Sequence, residues 1–428
     1  MRVELDYGRS KLAVALPETA AVTVIRKNES QPLADAKASV LQALAQPVAC
    51  ASLATLAAGR GSACIVICDI TRPVPNGLFL RPMIEIMLAA GIARDTIRIL
   101  VATGLHRPNE GEELAELIDD PWVLEHIRID NHDATDAGQH LDLGRTPGRG
   151  VPVKLDRRLV EADLRIVTGL VEPHFMAGYS GGRKVIAPGV AHEDTIRTFH
   201  NARFMSDPAA RQCNLAGNPL HEEQLAIAAM VGEVYCLNTV LDAARRVTLV
   251  NFGDLLESHA EAVRAVEAAS LVPVPRRFST IVTSAAGYPL DGTYYQTVKS
   301  MVTPMDIMAD DARLIIASDC SQGIGSPAYR AAQARLVASS PEAFMADIAK
   351  KSLADIDEWQ TQMQLKPMRA GSIALYSEGL PAVERALTGV EHIDDIGAAV
   401  AKSMAQSGDR AVAVIPEGPY VVPYFEAV

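Results

Sequence analysis

Leu164-Arg-Ile-Val-Thr-Gly-Leu170, followed after Val171 by Glu172-Pro-His-Phe-Met-Ala-Gly-Tyr-Ser-Gly-Gly-Arg-Lys184, decides how this chain reads. The first run is short, apolar and bounded by turn residues, the signature of a buried strand. The second is a loop of small residues ending in a lysine, and a helix from about His192 to His200 follows. Such a turn lets backbone amides and a lysine approach an anion closely. A histidine on each side, His174 and the His200 of the His200-Asn201 pair, adds proton transfer and possible metal ligation.

The same order of strand, Gly- or Pro-containing loop and amphipathic helix recurs along the chain. Ala63 to Cys68 precedes Asp69-Ile-Thr-Arg-Pro-Val-Pro and a helix over Leu78 to Leu88; Thr96 to Ala102 precedes Thr103-Gly-Leu-His-Arg-Pro and a helix over Glu110 to Ile118. Leu271-Val-Pro-Val-Pro-Arg-Arg reads as a linker, after which strands are expected over Ser279 to Ser284, Leu314 to Ala317, Ile373 to Tyr376 and Ala411 to Ile415. Apolar strands alternating with helices predict parallel α/β layers. The expectation is two Rossmann-like α/β domains, residues 1–272 and 273–428, with the active site in the cleft between them. Ligands of open α/β sheets bind beyond the carboxyl ends of the strands. Asp69 and Arg72, Thr103 and His106, and His174 and Lys184 each follow such an end.

Composition narrows the function classes. The chain has 428 residues, 49% hydrophobic and 21% charged, as expected of a globular protein with more than one core. A net charge of -12 argues against a nucleic-acid surface. No apolar run is long enough to cross a membrane, and Met1-Arg-Val-Glu-Leu-Asp lacks a signal-peptide core, so a cytoplasmic protein is expected. The six cysteines (Cys50, Cys64, Cys68, Cys213, Cys236, Cys320) show no metal spacing and read as reduced thiols.

Each candidate motif has a plainer reading beside it. Gly178-Tyr-Ser-Gly-Gly-Arg-Lys184 is not a Walker loop, because Arg183 intervenes and Val185 follows the lysine; alone it could be a structural turn. Gly323-Ile-Gly325-Ser-Pro-Ala328 follows a strand and opens a helix, but no acidic residue stands where a ribose would need it, and a tight turn accounts for it. His106 and His174, each beside a proline, suggest acid/base groups on opposite faces of a substrate, although a lone loop histidine is usually structural. Arg72 could fork a carboxylate or simply pair with Asp69. Gln296 and Lys299 share a helical face and could close on the same anion, or open a solvated helix.

Asp69-x-x-Arg72-Pro, Thr103-Gly-x-His106, Glu172-Pro-His174, Ser180-Gly-Gly-x-Lys184 and His200-Asn201 together resemble the nickel-pincer lactate racemase family. The likeness continues through Gly287-Tyr-Pro-Leu-Asp291, Tyr294-Tyr-Gln296-x-x-Lys299, Trp359-Gln360 and Pro416-x-Gly-Pro-Tyr420, so it covers nearly the whole chain in order. The resemblance implies a racemase or epimerase of a small 2-hydroxy acid. It implies a nickel-pincer nucleotide, a pyridinium-3-thioamide-5-thiocarboxylate mononucleotide, covalent on Lys184, with His200 as the protein's nickel ligand. It implies reversible hydride transfer with His106 and His174 moving the hydroxyl proton, neither deeply paired with a carboxylate. Arg72, Gln296 and Lys299 would hold the substrate carboxylate, and Tyr295 and Trp359 would line the substrate, with Phe175 and Met176. Asp69, Thr103 and Ser180-Gly181-Gly182 are assigned to the ribose and phosphate. The implied partners are the enzymes that carboxylate, sulfurate and insert nickel into the cofactor precursor.

Two other functions compete. A nicotinamide-dependent 2-hydroxy-acid dehydrogenase would explain His and Arg but not the lysine loop. A non-catalytic binding protein for a nucleotide or organic acid would show affinity without exchange at the α-carbon.

Overall fold

The computed structural model describes residues 1–427, which divide into two compact units. One unit comprises Glu29–Phe199 and Ala209–Ala268. Its six-stranded sheet runs in the order Val247–Asp254, Tyr235–Leu241, Leu164–Leu170, Ala63–Cys68, Ile97–Ala102, Arg128–Asn131. All neighbours are parallel except the first pair. Strands Ala63–Cys68 and Leu164–Leu170 are buried almost throughout, as continuous apolar runs covered on both faces must be. Ile65, Ile67, Ile99 and Val101 pack against Phe79, Leu80, Met83 and Met87 of the helix Asn76–Ala89. The three strand ends that carry the candidate residues therefore emerge side by side at one edge of a rigid sheet.

The other unit comprises Met1–Asn28, His200–Pro208 and the chain from Ala269 onward. Its six-stranded sheet is parallel throughout, in the order Glu391–Ile393, Gly371–Tyr376, Met308–Ala317, Phe278–Ser284, Ala411–Ile415, Ala21–Val24. The mostly parallel α/β architecture expected from the sequence is present in both units.

The division at residue 272 needs correction in three places. Residues 1–28 belong with the second sheet, because Ala21–Val24 adds to Ala411–Ile415 as its edge strand. The hairpin Arg2–Tyr7/Ser10–Ala15 buries Val3, Leu5 and Tyr7, alternate residues, against Val282, Ile315 and Val400. Residues 200–208 also belong there. Asn201 caps the helix Ala202–Met205 and donates through Nδ2 to Ser352 O at 2.9 Å, while Gln362 Nε2 donates to Ser206 Oγ at 2.9 Å. Finally, the expected linker contains a strand, Leu271–Val274, which pairs in parallel with Val422–Phe425. Its alternating Val-Pro pattern suits a two-stranded edge, where proline's missing N–H costs nothing. Among the described residues no helix is long and apolar enough to cross a membrane.

Candidate active site

The strand Ala63–Cys68 ends in Asp69, a buried carboxylate whose Oδ1 accepts from the Thr71 hydroxyl at 2.6 Å and from the Thr71 amide. The neighbouring strand Ile97–Ala102 turns through Gly104, at φ +56, and delivers His106. Nδ1 of His106 lies 2.6 Å from Asp69 Oδ2. Burial works to raise the Asp69 carboxyl, yet His106, Thr71 and Arg72 together hold it below its ordinary value, so it is ionised at neutral pH. This corrects the sequence reading in one respect: His106, expected to stand apart from carboxylates, is paired with Asp69, which also engages Thr71. The pairing orients the ring, with the Nδ1 proton facing the Asp69 carboxylate.

Thr103 also turns inward. Its hydroxyl donates to His132 O at 2.7 Å, and its carbonyl accepts from the His106 amide at 2.9 Å, so it holds the loop.

The third strand end, Leu170, leads into the lysine loop. His174 is buried, and its Nδ1 accepts from the amides of Met176 at 3.3 Å and Ala177 at 3.1 Å. Two donors on Nδ1 place the proton of the neutral ring on Nε2. The two histidines are therefore held differently: Nδ1 of His106 faces a carboxylate, and Nδ1 of His174 faces two amide donors. Arg72 donates through Nη1 to the mostly buried Glu172, a residue present in the sequence motif to which no role had been attached.

The Ser180-Gly181-Gly182 turn is packed tightly instead of lying open as a phosphate cradle. Ser180 Oγ donates to Leu170 O at 2.7 Å and accepts from Glu172 N at 3.0 Å. Gly181 and Gly182 adopt φ +74 and +51, and a Cβ on either would meet Val171 Cγ2 at 2.8 Å or the His259 ring at 2.7 Å. The Gly182 amide faces the Cys236 sulfur. Only glycine fits both positions. These residues build the loop that presents Lys184.

Lys184 lies half-buried in the short helix Arg183–Ile186. Burial above all, then the charges of Arg72 and Arg183, push its amine down to about 7, against the weaker pull of Cys68 and Glu172. At neutral pH a substantial share of this half-buried amine is therefore uncharged, the form that can make a covalent bond. The sign of the stability linkage follows. Between about 7 and the ordinary value of 10.5 the unfolded chain binds a proton that the folded chain does not. The contribution of this group is lowest below about 7 and rises with pH through that window. Lys184→Met should raise the apo-protein's melting temperature most below pH 7, with the gain shrinking towards pH 10; scanning calorimetry that finds equal gains at both ends contradicts the assignment.

In the other unit the structure groups His200, Trp359, Tyr295 and Gln360. His200 is buried, with its ring 5.1 Å from the Trp359 ring. Its place with residues 200–208 corrects the expectation that the nickel ligand belongs to the first domain. Burial pushes the Tyr295 hydroxyl well up, and that hydroxyl hydrogen-bonds with Trp359 and Asp357. Gln360 Nε2 donates to Tyr295 O at 2.6 Å. Gln296 and Lys299 lie on the expected helix, Tyr294–Val302, capped by Thr293; the buried Gln296 Oε1 has no partner. Among the described residues no three His, Cys, Asp or Glu side chains converge as a metal cage, so His200 stands as a single imidazole donor.

The Gly323-Ile-Gly325 turn is closed to a dinucleotide phosphate. Glu384 Oε2 accepts from the Ile324 amide at 2.7 Å and lies 2.7 Å from where a Cβ of Gly323 would sit. An anion already occupies the turn, as the tight-turn reading expects.

A model of the lactate racemase N-terminal domain matches residues 7–213, and one of the lactate racemase C-terminal domain matches residues 275–422. The lactate racemase of Thermoanaerobacterium thermosaccharolyticum is 27% identical over 434 residues, 98% of each chain. That of Lactiplantibacillus plantarum is 30% identical over 383 residues, 89% of each. The solved lactate racemase apoprotein of the former organism matches with a TM-score of 0.91 over 99% of this chain and 100% of that one. A Thermotoga maritima structure, 15% identical with a TM-score of 0.69, covers 93% of this chain and all of its own, and shares the fold.

Proposed function

This chain belongs to the lactate racemase family and is an isomerase, and from that premise we propose that it inverts the α-carbon of a small 2-hydroxy acid such as lactate, using a nickel-pincer nucleotide on Lys184. The residues fit that group: a half-buried amine that is partly uncharged at neutral pH, and one imidazole, His200, for a nickel whose other donors would come from the nucleotide. When bound, the group supplies the acceptor for the α-hydrogen as hydride.

The remaining chemistry falls to the chain, and the opposed partners of the two Nδ1 atoms, a carboxylate at His106 and two amides at His174, are the observation that carries the proposal. Nε2 of His106 takes the substrate hydroxyl proton, and the Asp69 carboxylate stabilises the imidazolium that results. Nε2–H of His174 faces the oxygen of the planar oxo acid and gives its proton to that oxygen as the hydride returns, a step in which the ring also carries a proton on Nδ1 and ends neutral. When His174 serves as base its Nδ1 must leave the two amides, at a cost of about 1–3 kcal/mol. Arg72, held by Glu172, binds the carboxylate with Gln296 and Lys299. Phe175, Met176, Tyr295 and Trp359 restrict the side chain to a small one. Asp69, Thr103, Ser180, Gly181 and Gly182 position these groups.

The test is to co-produce the chain with the enzymes that carboxylate, sulfurate and nickel-load the precursor, then follow one lactate enantiomer by chiral chromatography. Appearance of the other enantiomer without added nicotinamide is expected. NAD-dependent consumption to pyruvate instead, or binding without exchange at the α-carbon of any 2-hydroxy acid tried, would overturn the proposal. Asp69→Asn is expected to lower kcat/KM by on the order of 10², and to move the acid limb of its pH profile to lower pH, because losing the neighbouring negative charge disfavours the imidazolium. An unmoved limb would make Asp69 a loop residue only.

A further inference from the structure

We propose that Glu384 is a positioning residue for the helix Tyr294–Val302: its carboxylate fills the Gly323-Ile-Gly325 turn, and that turn fixes the start of the helix that presents Gln296 and Lys299 to the substrate. This rests on the reading of Gln296 and Lys299 as ligands of the substrate carboxylate.

The first amides of a helix have no acceptor within it. Thr293 meets part of that need: its side chain accepts from Gln296 N at 3.4 Å, and its carbonyl from Gln296 N at 3.2 Å and Thr297 N at 3.3 Å. The amides of Tyr294 and Tyr295 turn to the glycine turn, donating to Gly323 O and Ile324 O, each at 3.0 Å. Two more bonds continue the seam, from Gln322 N to Gly292 O and from Cys320 N to Asp291 O, both at 2.8 Å. The helix start is therefore seated on the turn residue by residue. Glycine at 325 permits the approach, since a Cβ there would meet the Tyr295 Cβ at 3.0 Å and the Tyr329 ring at 3.2 Å. Gln296 lies in the first turn of the helix and Lys299 in the second, so a displaced start misplaces both.

Glu384 holds the turn from its other side. It comes from the short helix Ala382–Arg385, 60 positions beyond Ile324. Oε2 accepts from the Ile324 amide at 2.7 Å, and Oε1 accepts from Arg330 Nη2. Ile324 thus gives its amide to a carboxylate and its carbonyl to Tyr295. Ile324 is buried, so without Glu384 its amide would be left unpaired, which is costly. The turn would shift to recover a partner, and the helix start would move with it. Arg330 is exposed, and its pair with Glu384 contributes little by itself. A turn whose glycines suggested a phosphate site is by this reading a mount for the substrate-binding helix, and the carboxylate that completes it is remote in sequence.

The test uses the full chain in two forms. In the apo-chain, amide exchange read by mass spectrometry on the peptide spanning residues 293–299 should quicken in Glu384→Ala. In protein co-produced with the cofactor enzymes, Glu384→Ala should raise KM for lactate about tenfold and leave kcat within about twofold, because a group that holds the carboxylate in ground state and transition state alike contributes to binding alone. Glu384→Gln keeps an oxygen that accepts from the Ile324 amide and should recover most of that affinity. Glu384→Asp, one methylene shorter, should follow the alanine variant and serves in its place if the alanine chain does not fold. In a Lys299→Met background the effect of Glu384→Ala on KM should shrink well below tenfold, because both act on one contact.

A folded Glu384→Ala or Glu384→Asp protein with wild-type KM overturns the inference, whatever its amide exchange, since a merely structural carboxylate would alter exchange and melting alone. So does a KM effect that adds in full to that of Lys299→Met, or a Glu384→Gln protein as impaired as Glu384→Ala. Failure of the underlying reading looks different: Gln296→Ala and Lys299→Met would both leave KM unmoved, while the quickened exchange of Glu384→Ala would still be seen.

Discussion

Lys184→Ala protein, co-produced with the cofactor-building enzymes, will have the mass of the bare chain and will not interconvert lactate enantiomers, while the wild type gains a mass that maps to Lys184. This is the largest effect expected of any single substitution. The loop from Glu172 to Lys184 is constructed to hold that amine. Ser180 ties it to the strand end, two glycines permit its close packing, and burial with the charges of two arginines lowers the amine to about 7. Removing the amine deletes the bond and leaves the scaffold, because alanine suits the short helix. Lys184→Arg should fail equally, since a guanidinium keeps its proton and cannot act as the nucleophile. An adduct that persists in Lys184→Ala, or racemisation without one, would move the attachment elsewhere.

Replacing His106 or His174 by alanine is expected to lower kcat/KM by about 10²–10⁴. The loss must be the same factor in both directions, because the enantiomers have equal free energy and their specificity constants are bound together by the equilibrium. The inequality of the two histidines should appear in kcat and KM taken separately. It should also appear on conservative replacement. Glutamine can supply an N–H near the place of Nε2, so His174→Gln should retain more activity than His174→Ala if donation to the oxo oxygen is its main part. His106→Gln should do no better than His106→Ala, because an amide cannot take up a proton and Asp69 would have no imidazolium to stabilise. Initial rates from each enantiomer, measured by chiral chromatography, decide this. A His106→Ala protein at wild-type rate would remove that residue from the chemistry.

Much of this was legible in the chain itself. The strands Ala63–Cys68, Leu164–Leu170 and Ala411–Ile415 have the bounds their apolar runs suggested, because a strand buried on both faces has little choice of composition. The loops after them bear the reactive residues for the same reason: only the ends of such strands reach solvent and ligand. Motif spacing then singled out His106, His174, Lys184 and His200 as candidates, since the chemistry dictates residue type and the loops dictate their separation.

Tertiary structure alone decided the rest, wherever the deciding partner is remote in sequence. Ala21–Val24 is an unremarkable edge strand until Ala411–Ile415 is set beside it, and nothing near residue 200 announces its contacts with Ser352 and Gln362. Asp69 could equally have met a ribose; its partner is His106, thirty-seven positions on. The protons of the two histidines depend on one carboxylate and two amides, and the charge on Lys184 depends on which side chains share its burial. Sequence determined which groups this protein brings to its site; their ionisation and tautomers come from short-range fields and hydrogen bonds that exist only once the chain is folded.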